Sequence, residues 1–143
     1  MIRISIAQQD GKLAIPPAGF AYVRGLASAL NGYGLSPWVG RDADFSRNAR
    51  AYSEGIRHCH IRLMDIDAPW RNDTVQYHRT SDNFLIYARH WMHSDFYQAL
   101  AIISPDAHMS VDRLLPMFCD YTERHFSVLS EHQLRSLSHV TGM

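Results

Sequence analysis

Two apolar runs, residues 83–90 (NFLIYARH) and 97–103 (YQALAII), are separated only by a short polar connection at His93-Ser94-Asp95. So short a connection lets two strands pair only antiparallel, since a parallel crossover needs a dozen or more residues. A sheet must therefore run through the middle of the chain. Residues 2–6 alternate apolar and polar positions with β-branched side chains and end near Asp10-Gly11, and residues 56–64 alternate again. Both have the two-residue period of a half-buried strand.

Helices fill the spaces between. After Pro16-Pro17, the positions Phe20, Val23, Leu26, Ala27 and Leu30 recur at helical spacing and run into Asn31-Gly32, a helix stop. Beyond Pro105, Val111, Leu114, Leu115, Phe118 and Cys119 mark one face of a second helix, and residues 128–140 carry a weaker amphipathic pattern. Residues 33–53 hold Gly34, Pro37 and Gly40 with little periodicity and read as loop, with at most one helix over 45–52. The loop through Asp65, Asp67, Pro69 and Asn72-Asp73 breaks the chain before the third strand. The order predicts an α+β fold, with helices on one side of a mainly antiparallel sheet. At 143 residues the chain fits one domain, 1–143.

Composition removes several function classes. With 46% hydrophobic and 20% charged residues the chain is globular rather than disordered. No leader-like start and no run of about 20 apolar residues is present, so the expected location is cytoplasmic, with no membrane partner. Cys59 and Cys119 read as buried thiols. A formal net charge of zero argues against a generic binder that neutralises many phosphates. Yet Lys12 is the only lysine, and the other fixed cations are arginines, whose planar fork suits bidentate phosphate contact and base stacking. Acidic residues interleave with them, so ion pairs on a solvated surface account for most.

There is no G-x-S-x-G elbow and no Gly-rich phosphate loop. His58-Cys59-His60 places two imidazoles on one face of a strand, but two ligands do not make a metal site, and no metal or other cofactor is expected. Acid–base chemistry on RNA needs less: a base for the 2′-OH, an acid for the 5′ oxygen and a positive charge on the phosphate. Residues 76–82 (QYHRTSD) concentrate such groups just before the third strand, Tyr87 follows inside it, and His108 comes just after the fourth. In an antiparallel pair the start of one strand lies beside the end of the next, which would bring Arg79 and His108 to one end of the sheet. The plainer alternatives are an Arg79–Asp82 ion pair, a turn position for His108 and sheet packing for Tyr87.

Taken together, Gly40-Arg41-Asp42-Ala43, His60-Ile61 with Leu63, Arg79-Thr80 with Asp82, Leu85 and Tyr87, and Ala101-Ile102-Ile103 with Pro105 and His108 resemble the YafO family of type II toxins in the RelE/ParE superfamily. The resemblance covers about residues 38–125 and leaves 1–37 and a helical tail at 126–143 outside it. It implies a RelE-like fold, with N-terminal and C-terminal helices on a small antiparallel sheet. It also implies ribosome-dependent, metal-independent cleavage of mRNA through the RNA's own 2′-OH, and neutralisation by a cognate antitoxin. The implied partners are the antitoxin, the ribosome and mRNA, and the tail leaves a homodimer open.

Carried over by position, Arg79 clamps the scissile phosphate, His108 is general acid or base, and Tyr87 and His60 orient the substrate. Arg41, Thr80 and Asp82 are the RNA-binding candidates, although Arg41 and Asp42 serve equally well to hold the loop to the sheet. The superfamily's lysine-rich active surface is absent, so arginine and histidine must replace it. Two rival functions remain: a ParE-like toxin that blocks a protein target such as gyrase without catalysis, and a histidine-rich metal-binding or regulatory domain.

Overall fold

The computed structural model describes residues 1–140; the end of the tail, 141–143, lies outside the described residues. Its centre is a six-stranded sheet built from β1 (Arg3–Ile6), β4 (Val39–Asp44), β5 (Ile56–Ile61), β6 (Phe84–Arg89), β7 (Phe96–Ile103) and β8 (His139–Val140). The spatial order is β4-β5-β6-β7-β1-β8. β2 (Gln8–Gln9) and β3 (Lys12–Leu13) form a separate small hairpin. The β6–β7 pair is antiparallel as expected, with Phe84 opposite Ile103. β1 lies parallel to β7, and every other pairing in the large sheet is antiparallel. Among the described residues there are four α-helices: α1 (Phe20–Leu30), α2 (Ala49–Ser53), α3 (Ala107–His125) and α4 (Glu131–Ser136).

The helices cover both faces of the sheet, which corrects the one-sided expectation. α1 packs Tyr22, Val23, Leu26 and Ala27 against Ile4, Cys59, Ile61, Leu85, Tyr87 and Ala99. On the other face, α3 sets Val111, Leu115, Phe118 and Cys119 over Ile56, Phe84, Ile86, Phe96 and Leu100, with Ala51 of α2 and Leu134 of α4 completing that cluster. The physical reason is visible in β6, where five consecutive residues from Phe84 to Ala88 are buried. A strand exposed on one side alternates; a continuous apolar run needs cover on both. Each large apolar side chain among them, such as Phe84, Leu85 or Ile86, contributes about 1.5–3 kcal/mol when removed from water. Cys59 and Cys119 are buried free thiols, as expected, and belong to the clusters on opposite faces.

Two further expectations change. β4 and the shorter α2 lie in the segment read as loop, and the weak pattern at 128–140 divides into α4 and β8, with α4 started by a Ser130–Gln133 capping box. No described helix is long and apolar enough to cross a membrane.

Candidate active site

A cleft of about 890 Å³ opens on the α3 face at the β4–β5 edge of the sheet. Its floor follows from strand periodicity. On β5, Arg57 and Cys59 face α1, while His58 and His60 face the cleft. An extra residue in β4 between Val39 and Asp42 shifts the register, so Ala43 pairs with His58 and Asp42 with Cys59. Arg41 and Ala43 therefore line the cleft and Asp42 faces the opposite way. α3 supplies the wall with His108, Asp112 and Leu115, spaced to share one helix face. Thr80, Ser81, Asp44 at the end of β4 and Arg47 in the loop after it complete the rim, so the charge of the cleft is mixed.

Three imidazoles gather on Phe84. The rings of His58, His60 and His108 lie 4.7, 4.8 and 4.7 Å from the Phe84 ring, centroid to centroid, and His60 stands 5.6 Å from His108. Asp82 fixes His108. Its carbonyl oxygen accepts from the Ala107 amide at 3.0 Å, and one carboxylate oxygen accepts from the His108 amide at 2.9 Å and lies 2.7 Å from His108 Nδ1. Amides at a helix start lack intrahelical partners, so Asp82 both caps α3 and orients the ring. These contacts, the His108 amide first, hold the Asp82 carboxyl below its ordinary range. In the neutral ring, with Nδ1–H turned to Asp82, Nε2 of His108 is left bare.

His60 has the opposite arrangement. The Ser81 amide donates to its Nδ1 at 2.8 Å, which leaves the neutral ring with its proton on Nε2. The Ser81 carbonyl oxygen lies 2.9 Å from the same Nδ1, ready to accept if the ring becomes charged. Burial lowers the His60 pKa, partly countered by this backbone contact. His58 is wedged between Phe45 and Phe84, and its Nδ1 is buried without a partner. Burial, with its imidazole neighbours adding, pushes its pKa down to about 4.

The expected cluster of four divides. His60 and His108 meet; Arg79 and Tyr87 do not join them. Arg79 is 2% exposed, lines no part of the cleft and donates to the carbonyl oxygens of Thr74, Ser36, Val39 and Arg71 at 2.9, 2.9, 3.2 and 3.3 Å. Its guanidinium ties residues 36–39 and 71–74 to its own turn and has no donor facing a substrate, so the phosphate-clamp role is withdrawn. The residue that meets His108 at the end of the sheet is Asp82. Tyr87 is fully buried on the α1 face, where its hydroxyl donates to Asp42 and accepts from Arg57 Nε at 3.2 Å. Arg57 also pairs with Asp42 at 3.3 Å. Substrate cannot reach Tyr87 without opening the core, so its orienting role is withdrawn too.

Arg41 and Thr80 do line the cleft, and Asp82 acts on it through His108. Gly40 explains the start of its motif: a Cβ there would stand 2.4 Å from the Arg79 carbonyl oxygen and 2.9 Å from the Trp70 ring, so only glycine lets the turn before Thr80 rest on β4. His58 and Ser81 were missed as site residues. His58 was legible from its spacing to His60; Ser81 acts through its backbone and leaves no signal in side-chain chemistry. Among the described residues, no group of three or more His, Cys, Asp or Glu side chains is arranged to hold a metal ion.

No curated protein and no solved structure matches the chain. The sequence model of the toxin YafO of type II toxin–antitoxin systems matches residues 27–127, the span from the second half of α1 to just past α3 and the whole of the cleft. The chain therefore belongs to the YafO family of type II toxin–antitoxin toxins, and a cognate antitoxin is its implied partner.

Proposed function

We propose that this toxin is an endoribonuclease that cuts ribosome-engaged mRNA in the Arg41–His60–His108 cleft. The observation that carries the reading is a pair of imidazoles held by their Nδ1 atoms with the rings 5.6 Å apart: Asp82 on His108 Nδ1 leaves its Nε2 free to accept a proton, and the Ser81 carbonyl, placed to accept from Nδ1 of a charged His60, leaves that ring its Nε2 proton to give. Transesterification at a phosphodiester needs such a pair. In the proposed step His108 Nε2 takes the 2′-OH proton as the 2′ oxygen bonds to phosphorus. The bond from phosphorus to the 5′ oxygen breaks, and that oxygen takes the Nε2 proton of charged His60, whose Nδ1–H then points to the Ser81 carbonyl. The products are a 2′,3′-cyclic phosphate and a 5′-OH.

Arg41, half-buried at the rim, is the cation for the phosphate, where charge develops in the transition state. Thr80 contributes a hydroxyl to the same rim. The acidic residues Asp44 and Asp112 limit the pull of the cleft on free RNA, which fits a substrate delivered by the ribosome.

The test is induced expression in a bacterial host with primer extension on an abundant message, comparing the wild type with His108→Ala and Arg41→Ala. Discrete cuts inside translated regions that vanish in both variants are expected. Growth arrest with intact message would replace this reading with that of a toxin that blocks a protein target.

A further inference from the structure

An exposed aromatic ring stands where the cleft arginine ends. Tyr77 occupies the middle of a 3-10 turn, Gln76–His78, and is 64% exposed. The Arg41 guanidinium carbon lies 4.2 Å from the centroid of its ring. His78 approaches the same ring edge-on at 5.7 Å.

The exposure is not that of a loose loop. Gln76 Nε2 donates to the Gly40 carbonyl oxygen at 3.0 Å, the Arg41 amide donates to the Arg79 carbonyl at 2.9 Å, and the Gly40 contact leaves no space between turn and strand. Arg79 anchors the far end of the turn from inside the protein. The backbone of Tyr77 is thus held on β4 while its ring stays in water. A hydrophobic ring fixed in water beside a cation gives the fold only about 0.5–1 kcal/mol of cation–π contact, and it is what a single-stranded nucleic acid uses: bases stack on aromatic faces and on guanidinium planes, with little regard to sequence.

We propose that Tyr77 and Arg41 form a nucleobase subsite, on which a base next to the scissile phosphate stacks when RNA lies in the cleft. The inference rests on the reading that the cleft takes RNA, and adds the part of the substrate that is gripped beyond the phosphate. Because Arg41 reaches both the rim and the ring, base stacking and phosphate binding share one side chain. Register of the strand in the cleft is then set by the stacked base.

The experiment uses the full chain and short single-stranded 2′-O-methyl RNAs, which lack the attacking hydroxyl, carrying 2-aminopurine at successive positions. Quenching of the fluorophore at one position is expected with the wild type and with Tyr77→Phe. Tyr77→Leu, a change on the surface, is expected to abolish the quench and weaken binding roughly tenfold, the scale of one stacked base. Equal quenching and affinity in Tyr77→Leu would overturn the subsite. So would wild-type binding with no quench at any position, or no binding at all. Cleavage on translating ribosomes is scored separately. Quenching that depends on Tyr77 without any cleavage would remove the nuclease reading and keep the subsite, whereas cleavage indifferent to Tyr77 would do the reverse.

Discussion

The two faces of the sheet use the same polar residue types in opposite ways. Asp42 and Arg57 turn toward α1, where they and Tyr87 satisfy one another in a closed set of contacts. Their chain neighbours Arg41 and His58 turn toward α3 and end in a cleft, His58 with a ring nitrogen that has no partner. Arg79 is the extreme of the first behaviour, a cation whose contacts are all backbone carbonyls. Polar groups whose hydrogen bonds are all made inside the protein fix loops and strands; those left half-satisfied at a surface are available for chemistry. Conformational stability and cleavage should therefore separate by face.

The sharpest test of that separation is His108→Ala. Removing one member of the proposed acid–base pair should lower the proposed cleavage about 10²- to 10⁴-fold, while the exposed Asp82 contact it loses should move the melting temperature little; a large fall in melting temperature would break the comparison. Arg79→Ala should do the opposite. Four carbonyls lose their donor and a buried side chain is deleted, so denaturant unfolding should report a loss of about 3 kcal/mol or more. A variant that keeps wild-type stability would mean that Arg79 does not tie these segments together.

Acid should strike the cleft face. Folded His58 titrates near 4 against 6.5 for the free side chain, so between these values the unfolded chain takes up a proton that the folded chain refuses. Stability from this group is whole above about pH 6.5 and drains as pH falls toward 4, by about 3 kcal/mol in all. His60, also lowered by burial, acts in the same direction. Unfolding curves across that window should flatten in His58→Leu; an unchanged slope would remove His58 as their source. The smallest effect belongs to Tyr87→Phe. Asp42 and Arg57 still pair, so stability should fall by about 1 kcal/mol, with cleavage per folded molecule unchanged. Lost cleavage at unchanged stability would restore Tyr87 to the site.

Much of this arrangement was legible in the residues. The β6–β7 pair, β5, α1 and α3 follow from periodicity, and the antiparallel meander read as joining Arg79 to His108 brings Asp82 and His60 there instead. β4 was hidden because it is an edge strand with work on both faces: Arg41 and Ala43 serve the cleft, Asp42 the Tyr87 contact, and the resulting VGRDAD has no apolar side. The placement of helices on both faces was written in the unbroken run of β6, which outweighs the alternation of β1 and β5. Arg79 misled because carbonyl acceptors belong to every residue. Its chemistry suggested a phosphate, and nothing in the identities of Ser36, Val39, Arg71 and Thr74 advertised that its donors were already committed.

The setting of His60 carries one more implication, for how this toxin tolerates mutation. Both groups that meet its Nδ1, a donor for the neutral ring and an acceptor for the charged one, come from the main chain of Ser81. Their hydrogen bonds survive exchange of the Ser81 side chain for another that keeps the same backbone path. Proline alone, lacking the amide, deletes the donor outright. The proton state of the ring is thereby inherited with the course of the chain rather than with a side chain, and drift at position 81 can change the neighbourhood of the cleft while leaving the tautomer of His60 where it is.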